Sequence, residues 1–294
     1  MNRYIITKEQ VGGREYCISA LYDENRRMVE VLPEPEGAAS LLGSIYIARV
    51  ERIVQNLNAA FVKISPEQSC YLALDDLKNP VFTRKLSEKK LLVAGDELLV
   101  QVSREAVKTK EPVVTTNLTL TGTYAVVSSG NHKLSVSAKL DANQRTHYLE
   151  LLRGMEALQG VEGWAYGAII RTNAAGASDE AVRGEVVLLA EKMMQLLKKG
   201  RHSVCYTCLY EEPSIWVRHL CDLRQDMLEE IITDDRGMFE EICAHYGIPA
   251  ERLVTQGSIP VPVEYIETDR NVKIRHYTDT AVSLSSLYGV KSSL

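Results

Sequence analysis

The stretch from Gly43 to Leu77 reads GSIYIARVERIVQNLNAAFVKISPEQSCYLALDDL, and it constrains the fold more than any other part of the 294-residue chain. A glycine opens it, and Ile45, Val50 and Ile53 supply β-branched residues for a strand that bends and continues. The small pair Ala59 and Ala60 precedes Phe61, Val62 and Ile64, and a turn through Ser65, Pro66 and Glu67 leads to Tyr71 and Leu72. Short β-rich runs separated by tight turns predict a small, strongly curved β-barrel. Aromatic rings on neighbouring strands of such a barrel offer flat surfaces on which unpaired bases stack. Phe61 either serves this way or fills the barrel core.

Charge is unevenly placed. The net charge is -5 and the pI about 5.8, so any affinity for a polyanion must come from a local patch. Residues 40–118 carry Arg49, Arg52, Lys63, Lys78, Arg84, Lys85, Lys89, Lys90, Arg104, Lys108 and Lys110, whereas residues 211–241 are rich in Asp and Glu. The first region suits a phosphate backbone and the second repels one, unless both are simply solvated faces. No apolar run is long enough to span a bilayer, and the start, MNRYIITKEQ, lacks the apolar core of a signal peptide. A cytoplasmic protein with reduced thiols is expected. Among the six cysteines, Cys205 and Cys208 form a C-x-x-C, but no second such pair completes a zinc site. Their surroundings read as a strand, on which residues three apart face opposite ways, so buried structural thiols are expected.

The remaining pattern is mixed. Residues 1–32 predict two or three strands, followed by a linker through Pro33, Pro35 and Gly37. Leu98 to Val102 adds a barrel strand, and Val113 to Leu120 and Tyr124 to Val127 read as further strands. A short helix is expected near Gln144 to Met155, and Ala168, Ile169 and Ile170 as a buried strand. The clearest helix spans Asp179 to Lys199, with Val182, Val186, Leu189, Met193 and Leu196 at helical spacing and Ser178 as N-cap. Ser214 to Leu223 and Met238 to Tyr246 read as helices, and Glu230 to Ile232 and Val272 to Tyr277 as strands. The result is an α+β chain in which a barrel interrupts a host domain.

Five segments, GSIYIARVERIV, AAFVKIS, TTNLTLTGTYAVV, AIIRTNAAGAS and LYEEPSIWVRHLCDLRQD, resemble in order and spacing the ribonuclease E/G family of bacterial endoribonucleases. The resemblance implies an S1-type OB barrel inserted in a split ribonuclease H-like domain, with an α+β region that senses the 5′ end of RNA. It divides the chain into residues 1–38 (ribonuclease H-like, first part), 39–118 (barrel), 119–212 (5′-sensor), 213–279 (ribonuclease H-like, second part) and 280–294 (start of a catalytic domain). By this resemblance Phe61 and Tyr71 stack bases and Lys110 contacts RNA. Arg171 and Thr172 bind a 5′-monophosphate in a pocket shaped by Gly122 and Val126. A guanidinium suits that task, since it grips a terminal phosphate with paired charge-assisted hydrogen bonds. Outside the resemblance, Lys110 reads as a surface lysine and Arg171 as a salt-bridge partner.

Departures from the family pattern are Ile47 and Ala48 for a lysine and glycine, Ser65 for a glycine, Glu111 for the glycine after Lys110, and Ala138-Lys139 for a basic pair. They imply a divergent member whose RNA contacts are weaker or differently arranged. In the family, a segment like IRHYTDTAVSLSSLYGV leads into the domain whose carboxylates hold magnesium for hydrolysis. The chain stops at Leu294, before those residues and before the family's oligomerisation elements. Magnesium is therefore expected for a full-length enzyme and no cofactor for this chain. Asp75-Asp76, Asp234-Asp235 and Asp222 with Asp226 read as caps or ion pairs. The expected partner is single-stranded RNA and not a membrane. The expected role is the RNA-binding and 5′-sensing half of an endoribonuclease, or alternatively a non-catalytic RNA-binding or regulatory module.

Overall fold

The computed structural model describes residues 2–37, 40–77, 79–88, 92–106, 110–159, 166–223, 227–245, 254–255, 263–267, 272–277, 284 and 288. In chain order the first strands are β1 (Asn2–Val11), β2 (Arg14–Tyr22) and β3 (Met28–Pro35). Next come β4 (Ile45–Val54), β5 (Ala59–Lys63), β6 (Ser69–Ala73), β7 (Phe82–Arg84), β8 (Glu97–Arg104) and β9 (Val113–Thr115). Then follow β10 (Thr119–Thr121), β11 (Ala125–Ser128), β12 (Leu134–Val136), α1 (Ala142–Arg153), β13 (Gly167–Ile170), α2 (Asp179–Arg201) and β14 (Cys208–Tyr210). The chain continues with α3 (Ile215–Asp222), β15 (Leu228–Thr233), α4 (Arg236–His245), β16 (Val254–Thr255), β17 (Val263–Glu267) and β18 (Lys273–Tyr277). Two compact units result: Met1–Ala39 with Pro213–Leu294, and Ser40–Glu212.

The outer unit is one sheet, ordered β16-β17-β18-β15-β1-β2-β3. Its centre is parallel, with β15 between β1 and β18. Central parallel strands are covered on both faces. Tyr4 and Ile6 accordingly pack with Trp216, Leu220, Phe239 and Ile242 of α3 and α4, while Ile5 joins Ile18, Ala20 and Ile232 on the other side. The Tyr4 hydroxyl donates to the Trp216 carbonyl at 3.0 Å. Pro33 and Pro35, expected in a linker, lie instead inside β3, paired with Ile18 and Tyr16. β3 is the edge strand, where the missing proline N–H costs no ladder bond.

In the inserted unit, β4, β5, β6, β9 and β8 pair in succession, and β4 pairs again with β8 to close a five-stranded, OB-like barrel. Its interior holds Val50, Ala60, Val62, Leu72, Leu98, Val100, Val102 and Val114. A second sheet, ordered β10-β11-β13-β12, packs one face on α2. The expected single strand from Val113 to Leu120 is broken: β9 belongs to the barrel and β10 to the second sheet. The Thr116 hydroxyl donates to the Asp76 carbonyl at 2.8 Å and fixes the crossing point. Gln101 of the barrel bridges the two sheets, donating to the Gly43 and Thr119 carbonyls at 2.7 and 2.9 Å and accepting from the Thr119 amide at 2.7 Å.

Asp96, fully buried, organises the turn into β8. Its carboxylate accepts from the Leu86 and Val93 amides at 2.8 and 2.9 Å and from Lys85. Burial pushes its pKa up, but these donors outweigh burial and hold it below the ordinary 3.8. The stabilisation is thus complete above that value and lost as pH falls through the depressed one. Asp96→Asn should cost about 1–3 kcal/mol at pH 7. Denaturant titrations of both proteins should show that deficit shrinking as pH falls toward 3.

Candidate nucleic-acid interface

The barrel's outer face is set by strand alternation. Along β5, Ala60 and Val62 point inward, so Phe61 between them points outward. Phe61 pairs directly with Tyr71 of β6, and their rings meet edge to face at 6.1 Å. Both are half-buried and lie outside the barrel core, so Phe61 is a surface aromatic and not a core filler. On its other side Phe61 pairs with Arg52 of β4, whose guanidinium carbon stands 4.4 Å from the ring centroid. Lys110 is exposed close by, since the Tyr71 amide donates to the Pro112 carbonyl at 2.8 Å.

Sequence reading counts Arg52 only as one basic residue among many. A bulge between Val50 and Arg52 shifts the register that brings it opposite Phe61, and nothing in the sequence marks that bulge. The guanidinium already covers ring surface, so Arg52, Phe61 and Tyr71 form an arginine–phenylalanine–tyrosine row. Two other cations of this region are committed: Lys63 pairs with Glu51 at 3.5 Å and Lys85 with Asp96. Lys78, Lys89, Lys90 and Lys108 lie outside the described residues.

The second surface forms where β12 and β13, which run parallel, end together. Ligands of open sheets collect at such carboxyl ends, where loops diverge. Ser137 leaves β12 there and Arg171 and Thr172 leave β13. The Ser137 amide donates to the Ile170 carbonyl at 2.9 Å, and the Ser137 and Thr172 hydroxyls lie 2.8 Å apart. Arg171 is held twice, its amide donating to the Tyr124 carbonyl at 2.7 Å and its Nη1 to the Gly122 carbonyl at 2.6 Å. Behind it, the short 3-10 turn Thr172–Gly176 is anchored by the Tyr148 hydroxyl on the Ala174 carbonyl at 2.6 Å. Val126 pairs with Ile169 on the sheet face opposite α2. Ile169, expected as buried, is 46% exposed, because period-2 alternation turns it away from Ala168 and Ile170. The structure thus brings Arg171, Thr172, Gly122 and Val126 together, and adds Ser137 and Ile169.

Gly122 has a clear steric reason. A Cβ there would stand 2.6 Å from the carboxyl carbon of Glu185, a residue of α2. That carboxylate is not free to swing aside, because it accepts from the Thr123, Tyr124 and Ala125 amides at 2.9, 2.6 and 2.9 Å.

The thiols and paired acids carry no comparable site. Cys205 lies in a turn, where Tyr206 adopts a left-handed φ of 70°, and Cys208 is exposed. The expectation that both are buried on a strand therefore fails, since only Cys208 enters β14. Cys17 and Cys70 are buried, and burial pushes each thiol up to about 12. Asp235 accepts from the Met238 amide at 2.9 Å at the start of α4, and Asp234 accepts from the Thr7 hydroxyl at 2.9 Å. Asp75 accepts from Asn58 at 2.9 Å. The expected pairing of Asp222 with Asp226 lies partly outside the described residues. Among the described residues no group of three or more His, Cys, Asp or Glu fits a metal ion. Among them also, no helix is long and apolar enough to cross a membrane.

An OB-like barrel thus adjoins a small sheet whose strand ends carry a guanidinium and two hydroxyls. Residues 119–288 match the ribonuclease E/G family, and the chain belongs to that family. Ribonuclease E of Buchnera aphidicola from Acyrthosiphon pisum is 30% identical over 246 residues, covering 80% of this chain and 26% of its own. Ribonuclease E of Escherichia coli is 27% identical, covering 82% of this chain and 22% of its own. Ribonuclease G of Haemophilus influenzae is 28% identical, covering 74% and 45%. The chain spans less than half the length of these relatives.

Substituting Gly122→Ala must displace the Glu185 carboxylate from its amides. The expected cost is about 1–3 kcal/mol, measured by chemical denaturation. Alanine at Gly184, where an added Cβ meets open space, should cost nothing comparable.

Proposed function

We propose that this chain is the RNA-holding and 5′-monophosphate-sensing part of a ribonuclease E/G-like endoribonuclease that acts on single-stranded RNA. One observation carries the reading: Arg171, Thr172 and Ser137 leave the paired ends of β12 and β13, in the same compact unit as the Arg52–Phe61–Tyr71 row. A terminal phosphate set against Arg171 receives charge-assisted hydrogen bonds from the guanidinium, and the two hydroxyls supply further donors. In this reading the barrel is S1-type, residues 119–212 are the sensor, and the outer unit is the ribonuclease H-like host. Bases stack on the barrel's aromatic row, and Lys110 meets the backbone. Val126 and Ile169 form an apolar floor beside the phosphate site. RNA processing of this kind belongs in the cytoplasm. Cleavage itself is assigned to none of the described residues.

The test is direct binding of short unstructured RNAs bearing a 5′ monophosphate, triphosphate or hydroxyl. Wild type should prefer the monophosphate, and Arg171→Ala should bind all three ends alike, losing about 1.5–3 kcal/mol on the monophosphate alone. Equal affinity of wild type for all three ends would sink the sensor assignment. Phe61→Ala and Tyr71→Ala should each weaken every RNA by about 1–3 kcal/mol, regardless of the 5′ end. Arg52→Ala should weaken binding in the same end-independent way. If it removes a phosphate contact as well, it should flatten the log–log salt dependence by about 0.7.

A further inference from the structure

Glu185 sits in an unusual place. Three successive backbone N–H groups, of Thr123, Tyr124 and Ala125, converge on its carboxylate. Such a run of amides is a ready-made anion-binding nest. It lies in the turn between β10 and β11, the turn that also supplies two anchors of Arg171, the Tyr124 carbonyl and the Gly122 carbonyl. The turn closes on itself through the Gly122 amide, which donates to the Ala125 carbonyl at 2.8 Å. The carboxylate therefore grips one side of the turn, and the guanidinium of Arg171 takes its aim from the other.

We propose that Glu185 is the positioning residue of the 5′-phosphate site: by filling the nest it fixes the β10–β11 turn, and the turn holds Arg171 in its phosphate-binding pose. This rests on the sensing reading above. Two consequences follow from the geometry. The nest is taken by an internal anion, so an incoming phosphate does not bind these amides and is read by side chains. Gly122 is required by the approach of Glu185, since any Cβ there meets the carboxylate. Glu185 touches no substrate in this scheme and acts only through Arg171.

The decisive variants are Glu185→Gln, which keeps one acceptor oxygen and removes the charge, and Glu185→Asp, which keeps the charge and shortens the reach. Glu185→Ala is secondary, because three orphaned amides threaten folding. Without RNA, the NMR resonance of the Arg171 guanidinium, assigned by its absence in Arg171→Ala, should shift or broaden in both decisive variants. With RNA, the ratio of affinities for 5′-monophosphate and 5′-hydroxyl oligonucleotides should fall by roughly fivefold, the effect of a misplaced hydrogen-bond donor. Affinity for the 5′-hydroxyl RNA should stay within about twofold of wild type, since the barrel row is untouched. In the cycle with Arg171→Ala, the double variant should discriminate ends no worse than Arg171→Ala alone. Folded variants with an unchanged Arg171 resonance and an unchanged ratio overturn the proposal, as does strict additivity in the cycle. If wild type itself ignores the 5′ end, the sensing reading fails. The resonance then still decides the positioning claim, and an unchanged one overturns it.

Discussion

One apolar stripe on α2 holds the inserted unit together. Val182, Val186, Leu189, Met193 and Leu196 bury against Leu120, Ala125, Val127, Ala168 and Ile170 of the second sheet. Ile45, Ile47 and Leu99, which point out of the barrel, enter the same core. At the end of the helix, Gly200 lets it approach the barrel so closely that a Cβ would stand 2.6 Å from a Leu99 methyl. Each large side chain in this stripe contributes roughly 1.5–3 kcal/mol of burial. The shared core makes the barrel's position relative to the sheet a packing outcome and not the setting of a linker. It also explains Ile47, where the family pattern has a polar lysine: the side chain faces α2, and there an apolar residue packs.

That coupling gives the two candidate surfaces a fixed separation. In the proposed reading the barrel row meets bases through ring faces and a planar guanidinium, which tolerate any sequence. The β12–β13 strand ends, in the same reading, supply the Arg171 guanidinium and the Ser137 and Thr172 hydroxyls to a terminal phosphate. In that proposed reading, holding and sensing are thus divided between two sheets joined by one helix. Gln101 reinforces the join with hydrogen bonds to both sides of the barrel–sheet crossing.

Much of this was legible in the sequence, for identifiable reasons. α2 announces itself by period and by its cap: the Ser178 side chain accepts from the Ala181 amide. The barrel strands follow from β-branched runs between turns. What escaped depends on long-range pairing. A continuous run from Val113 to Leu120 carries no mark of the point where it leaves one sheet for another. Pro33 and Pro35 signal a linker until β3 is known to be an edge. Tyr206 gives no hint of its left-handed backbone, and Arg52 none of the bulge that aims it. Ile169 looks buried beside Ala168 and Ile170 until the sheet is seen to be covered on one face only. Glu185 is one of several acids on a long helix, and only the tertiary fold shows which acid meets three amides.

A carboxylate beside the proposed phosphate site must have its charge met locally, because like charges repel. The β10–β11 amides meet it. Three N–H dipoles point at the Glu185 oxygens, so the negative charge is met locally by donors and not left facing the pocket. Had the nest been empty, its amides would have attracted any anion, including internal phosphates of the backbone or free phosphate. Occupied, it leaves recognition, in the proposed reading, to the side chains of Arg171, Thr172 and Ser137 at the strand ends. A filled nest thus favours selectivity for a terminus over general affinity for phosphate. The same turn that discards an unspecific anion site sets the geometry of a specific one.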